Sequence, residues 1–326
     1  MASKSTKFRE IYLGIDIGSV TAKLVSLDAK SLDIVDTFYT RTHGDPLEAL
    51  RRGIRRMAAA VPVPVVQAAG TTGSGRHLAA KLVNTDIVKN EITTHTLAAG
   101  KLLPGVQTIV EIGGQDSKII LVRDRMAVDF AMNTVCAAGT GSFLDQQAGR
   151  LGIAVEEMGD LALSSEQPAA ISGRCTVFAE TDMVHKQQIG VPLNDIVAGL
   201  CRSLVRNYLA SVARGKALRE PVIFQGGVAA NKGIVKEFER QAGLTFYIST
   251  HLGVEGAYGA ALLGAMASGT RPAFRGLELI EKDFRIGSFV CKKCEESCSV
   301  LILYKDGKPV SYWNDRCGEY ASRMAT

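Results

Sequence analysis

Two cysteines in this chain stand where a thiol can serve a metal centre. Cys136 heads the small-residue turn of MNTVCAAGTGSFLDQQAGRLG, residues 132–152, which runs into an amphipathic helix. Cys175 repeats the arrangement in GRCTVFAETDMVHKQQIG, residues 173–190. A helix N-terminus carries partial positive charge and unpaired N–H groups, so it lowers the pKa of a nearby thiol and stabilises an anionic centre. Gly139 and Gly141 allow a solvent-accessible turn there. Cys201 differs: Ile196, Val197, Leu200, Leu204, Val205 and Tyr208 follow helical spacing around it and place it in a core. A further set, Cys291, Cys294, Cys298 and Cys317, lies in FVCKKCEESCSVLILYKDGKPVSYWNDRC. Its C-x2-C-x3-C run is a knuckle, SVLILYKDGKPVSYW reads as a β-hairpin turning at Asp306-Gly307, and Cys317 can fold back. Four thiolates suit Zn²⁺ or a second [4Fe–4S] cluster; a small hairpin with free thiols is the alternative.

Three glycine motifs carry phosphate and nucleoside chemistry. Residues 11–28, IYLGIDIGSVTAKLVSLD, read as strand, tight turn, strand. Gly18 lets the backbone approach an anion, and the N–H groups of Gly18, Ser19 and Val20 can point at it, with Thr21 and Lys23 beside them. Asp16 is placed to hold Mg²⁺ through water. Residues 107–122, QTIVEIGGQDSKIILV, repeat the design with Glu111, Gly113-Gly114 and a returning strand. Gln115 and Asp116 at that turn could position an attacking water or the metal. The repeat points to a duplicated lobe with two hairpins facing one phosphate chain. In residues 221–238, an apolar strand runs into Gly226-Gly227, which suits close approach of a base and ribose, and Asn231 is available to the sugar.

These residues need scaffolds to hold them. A chain of 326 residues exceeds one ordinary core, so two lobes are expected. The reading is 1–100 for the first lobe, 101–274 for a second bearing the Glu111 hairpin, Cys136, Cys175 and Gly226, and 275–326 for a Cys-rich extension. GTTGSGR, residues 70–76, is a flexible turn after a β-branched strand. Glu91 and His95 fall on one helix face. Arg51, Arg52, Arg55 and Arg56 lie opposite Leu47, Leu50, Ile54 and Met57, a solvated basic face. A net charge of +5, dispersed, argues against a nucleic-acid partner. The first ten residues hold no apolar leader, no run is apolar enough to span a membrane, and seven cysteines clustered by motif fit a reducing cytoplasmic setting.

The three glycine motifs in this order resemble the sugar kinase, Hsp70 and actin superfamily of ATPases, which implies a two-lobed α/β, ribonuclease H-like fold. Within it the two cysteine motifs, with GTTGSGR and EITTHT, resemble the activator component of 2-hydroxyacyl-CoA dehydratases. Benzoyl-CoA reductase subunits and reductases of double-cubane cluster proteins share that family. The likeness covers about residues 11–269. It implies a homodimer in which Cys136 and Cys175 of both chains hold one [4Fe–4S] cluster. ATP with Mg²⁺, hydrolysed to ADP, drives a hinge. One electron then passes from ferredoxin or flavodoxin to an iron–sulfur acceptor, a dehydratase or a double-cubane protein. In this reading Asp16, Glu111, Gln115 and Asp116 serve hydrolysis. The alternatives are a sugar or small-acid kinase of the same superfamily and a nucleotide-dependent scaffold.

Overall fold

The computed structural model describes residues 9–61, 64–133, 137–267 and 272–322. The chain divides into two compact units, residues 1–90 with 260–326, and residues 91–259.

In the first unit, β1 (Arg9–Ile17), β2 (Thr21–Asp28) and β3 (Ile34–Arg41) form an antiparallel meander. β4 (Pro64–Thr72) and β5 (Ile87–Val88) extend it in parallel, giving the order β3-β2-β1-β4-β5. β1 is central, which is why Ile11, Leu13, Ile15 and Ile17 are all buried. Helix α1 (Pro46–Ala60) starts with Asp45 accepting from the Glu48 N–H and with proline in its first turn. It buries Leu47, Leu50, Ile54 and Met57, as its spacing predicts. Helix α2 (Arg76–Val83) follows the GTTGSGR turn.

The second unit repeats the plan. After α3 (Glu91–Leu102) come the meander β6 (Thr108–Ile112), β7 (Ser117–Arg123) and β8 (Met126–Asn133). Helices α4 (Gly141–Leu151), α5 (Met158–Leu163), α6 (Thr176–Gln188) and α7 (Leu193–Ser211) follow. Then β9 (Val222–Gln225), α8 (Lys232–Ala242) and β10 (Phe246–Ile248) complete the sheet in the order β10-β9-β6-β7-β8. Two sheets with the same strand plan are what the duplicated hairpin signature predicts. α7 runs through the core, burying Leu200, Leu204 and Tyr208. Cys201 is buried there, and its thiol is pushed up to about 12, chiefly by burial.

The units begin and end elsewhere than the sequence suggests. α3 packs against β6, β7 and β8, so the second unit begins at Glu91. The chain re-enters the first unit within α9 (Glu255–Met266). After α10 (Glu278–Glu281), the tail is a three-stranded sheet, β11 (Phe284–Val290), β12 (Ser299–Lys305) and β13 (Lys308–Trp313). Its last two strands are the expected hairpin, with Asp306 and Gly307 both at positive φ. It packs on the first unit: Leu279, Phe284 and Leu303 are buried with Ile15, Leu50 and Ile54, and Arg51 Nε donates to Leu279 O at 2.8 Å. Part of the basic face of α1 is therefore spent on the tail.

Close helix packing explains the small residues of α9. A Cβ on Gly259 would lie 1.9 Å from the Thr94 carbonyl of α3. Gly259→Ala should lower stability by about 3 kcal/mol through overpacking. Gly100→Ala, where a Cβ meets nothing within 4 Å, should raise it by about 0.5–1 kcal/mol. Urea unfolding of both variants checks the contrast.

Candidate functional site

The two hairpins place charge by register. Asp16 pairs directly with Lys23 across β1 and β2, and Lys23 Nζ lies 3.0 Å from Asp16 Oδ2. Glu111 pairs with Lys118 across β6 and β7, and Lys118 Nζ donates to Glu111 Oε2 at 2.9 Å. In both cases acid and lysine stand seven residues apart, which puts them opposite each other on one face. Lys118 was not among the residues singled out from sequence. The signal that finds it is the alignment of DIGSVTAK with EIGGQDSK.

Each turn is closed the same way. Gly18 N–H donates to Thr21 O at 2.9 Å, and Gly113 N–H to Asp116 O at 3.0 Å. The Gly18 N–H, expected to face an anion, is therefore committed to the turn, leaving that role to Ser19 and Val20. A Cβ on Gly18 would meet nothing closer than 3.4 Å, so the protein's own packing does not demand glycine there. Thr42 braces the turn through the carbonyls of Ser19 and Val20. The GTTGSGR turn backs it closely. Gly75 N–H donates to Ile17 O at 2.7 Å, and a Cβ on Gly73 would fall 2.5 Å from Asp16 Oδ1.

Lys118 is buried and gathers three carboxylates: Glu91 Oε2 at 2.7 Å, Glu111 Oε2 at 2.9 Å and Asp116 Oδ2 at 3.0 Å. Burial pulls its ammonium down, but Glu111, Glu91 and Asp116 outweigh it, and the net direction is up. Asp116, expected to position water or metal, has one oxygen held by Lys118; Gln115 stands exposed at the turn tip. Glu91 and His95 share α3 but bond elsewhere: His95 Nδ1 lies 2.8 Å from Gln225 Oε1.

At the third motif, Gly226 has φ +85°, and a Cβ there would lie 2.3 Å from Ile112 O. Glycine is obligatory where β9 meets β6. Asn231, expected near the sugar, caps α8: its Oδ1 accepts from Ile234 N–H at 3.0 Å. Its Nδ2 is buried without a partner among the described residues. Glu255, at the start of α9, is 1% exposed and also lacks partners for either oxygen. In sequence it stands at the head of a run of small residues, EGAYGAALLGA, with no local pattern that marks it out.

Cys136 lies outside the described residues. Beyond it, the 3-10 turn Ala137–Gly139 leads to α4. The first two N–H groups of α4 are spoken for: Gly141 donates to Gly113 O and Ser142 to Gly114 O, both at 2.8 Å. These donors face the phosphate-type turn. Cys175 is half-buried and is the N-cap of α6, as its sequence position predicts. Asn207 of α7 stands beside both cysteine loops. Its Nδ2 donates to Gly173 O at 2.7 Å, and its Oδ1 lies 3.1 Å from where a Gly139 Cβ would be. α4 and α6 are joined through Glu180, with Arg150 at 2.9 Å and Gln146 at 3.2 Å. In the tail, Cys291 N–H donates to Cys298 O at 2.8 Å, and ion pairs Lys293–Glu319 and Arg316–Glu296 tie the Cys317 segment to the knuckle. Among the described residues no three His, Cys, Asp or Glu side chains are placed to hold a metal, so the tail thiols do not form such a group here. Nor, among them, is any helix long and apolar enough to cross a membrane.

Residues 13–264 match the BadF/BadG/BcrA/BcrD ATPase family. The chain belongs to this family. The matched span holds both charged hairpins, the Gly226 turn and both cysteine loops, and leaves the tail outside. A curated relative in the family is the (R)-2-hydroxyglutaryl-CoA dehydratase activating ATPase of Acidaminococcus fermentans. It is 34% identical over 259 residues, which cover 77% of this chain and 95% of the relative. The crystal structure of component A of the (R)-2-hydroxyglutaryl-CoA dehydratase from Acidaminococcus fermentans superposes with a TM-score of 0.71 at 30% identity, covering 78% of this chain and 98% of that one. The activator of the 2-hydroxyisocaproyl-CoA dehydratase from Clostridium difficile, solved with bound ADPNP, superposes at 0.70 with 31% identity, covering 78% and 94%. The fold of this ATPase family accounts for the paired sheets and the paired hairpins.

Removing the buried ammonium leaves three carboxylates facing one another. Lys118→Met should cost about 3–5 kcal/mol in denaturant unfolding, far above the cost of the exposed Lys232→Met.

Proposed function

We propose that this chain is an ATP-dependent activator that delivers one low-potential electron to an iron–sulfur partner enzyme, a 2-hydroxyacyl-CoA dehydratase or a double-cubane protein. Family membership supports the ATPase half. The observation that carries the coupling half is the pair of hydrogen bonds from α4 to the Gly113-Gly114 turn.

In this reading Mg²⁺·ATP engages the turns at Gly18, Ser19, Val20 and Thr21 and at Gly113 and Gly114, with its base and ribose against Gly226, Gly227 and Asn231. Lys23 and Lys118 hold Asp16 and Glu111 in their rotamers. Gln115, at the exposed tip, orients the attacking water, so phosphate goes to water. Mg²⁺ keeps waters and phosphate oxygens as most of its ligands, which fits a site whose carboxylates are already paired with Lys23 and Lys118. When the Gly113-Gly114 turn responds to the lost γ-phosphate, its carbonyls carry the start of α4 with them. Glu180 passes the movement to α6.

Cys136 and Cys175 of two chains in a homodimer would hold a [4Fe–4S] cluster, which supplies one-electron chemistry when bound. Cys175 fits that group: it is half-buried at a helix N-cap, where peptide N–H groups without intrahelical partners lie close to an anionic centre. Ferredoxin or flavodoxin is the donor, and the setting is cytoplasmic.

Cys175→Ser, purified without oxygen, should lose most of its iron and all ATP-dependent reduction of an acceptor, while still binding ADPNP. Iron content equal to wild type together with intact electron delivery would contradict the proposal. Iron analysis and stopped-flow absorbance provide both readings.

A further inference from the structure

Glu255 is the first residue of α9, 1% exposed, with no hydrogen bond to either carboxylate oxygen among the described residues. A carboxylate so placed is costly to ionise. Its surroundings come from several elements of the second unit. α3 contributes His95, held at 2.8 Å to Gln225 of β9. β6 contributes Glu111, whose charge acts on Glu255. The N–H groups of Gly226 and of Glu255 itself face the carboxyl without a well-formed bond. Tyr258, one turn along α9, packs its ring tilted against that of His251 of the preceding loop, centroids 6.1 Å apart. Lys118 is already shared by Glu91, Glu111 and Asp116, so it has no spare charge for a fourth acid.

The position is informative. Glu111 ends the strand of the second hairpin, and Gly226 opens the third glycine motif. A Cβ on Gly226 would fall 2.9 Å from Glu111 Oε1. Glu255 is within reach of both motifs, since the Glu111 charge and the Gly226 N–H both act on its carboxyl. Burial pushes its carboxyl up to about 7, Glu111 adds to the rise, and His95 opposes it.

We propose that Glu255 is a proton-storing positioning residue of the nucleotide site: its carboxylate takes a proton from solvent when a polyphosphate arrives beside Glu111, so nucleotide binding is linked to proton uptake at this residue. The proposal rests on the ATP-binding reading above and adds a regulator to it. A bound polyphosphate raises the cost of another buried negative charge nearby, which favours the protonated form. The sign follows by linkage. In acid the carboxyl already holds its proton and binding takes up none; as pH rises past the free carboxyl's range, binding must bring a proton in and weakens.

The test is calorimetry of Mg·ADPNP binding to the full chain, in two buffers of different ionisation enthalpy, at about pH 6 and about pH 8.5, with wild type and Glu255→Gln. The expected result is roughly one-half to one proton more taken up by wild type than by the variant at the higher pH, and an affinity that falls about tenfold more steeply between the two pH values. Equal proton uptake and equal pH slope in the two proteins would overturn the proposal and leave the ATP-binding reading standing. No binding by wild type at either pH would overturn that reading and the proposal with it. If the variant does not fold, wild type decides alone: binding at about pH 8.5 without net proton uptake overturns the proposal.

Discussion

Two backbone hydrogen bonds join the phosphate-type turn to the helix that follows the first cysteine loop. Gly141 and Ser142 donate to Gly113 and Gly114, the residues whose carbonyls cap α4 in place of a side chain. Helix N-termini leave N–H groups without intrahelical partners, and here the turn supplies them. Each bond contributes only about 1 kcal/mol, but both act on the same rigid helix. The close approach also sets sequence: a Cβ on Gly141 would lie 3.0 Å from Gly113 O. A turn that shifts by more than about half an ångström either carries α4 with it or stretches these bonds past the ordinary range.

The rest of the second unit stiffens both ends of that link. Lys118 fixes Glu111 and Asp116 on either side of the turn, and the Tyr208 hydroxyl donates to the Lys118 carbonyl at 2.7 Å. The neighbouring Asn207 holds the Cys175 loop, so one turn of α7 touches the hairpin strand and a cysteine loop together. The Arg150–Glu180 pair is half exposed and worth little by itself. It matters because Gln146 meets the same carboxylate and sets the azimuth of α4 against α6.

Much of this was legible in the sequence. Apolar runs ending in an acid and followed by a glycine turn located both hairpins, and the positions of Leu47, Leu50, Ile54 and Met57 located α1. What escaped did so for physical reasons. Lys118 matters because α3 and the turn bring Glu91 and Asp116 to it, and no local pattern encodes a partner from another element. Asn231 looked available to a sugar, yet an asparagine before a helix satisfies the orphan N–H groups first. The Gly18 N–H was read as free, but a four-residue turn spends it. The tail read as a separate extension because its cysteines stand out. Its apolar residues Leu279, Phe284 and Leu303, which are ordinary in sequence, bury it on the first unit.

The central claim is that the state of the nucleotide reaches α4 through the Gly113-Gly114 turn. Hydrogen–deuterium exchange read on the peptide spanning residues 137–151, with ADPNP and with ADP, tests it directly. The account predicts that exchange at Gly141 and Ser142 differs between the two nucleotides, in step with the second hairpin. Identical exchange there, while the hairpin peptides themselves respond to nucleotide, would contradict it.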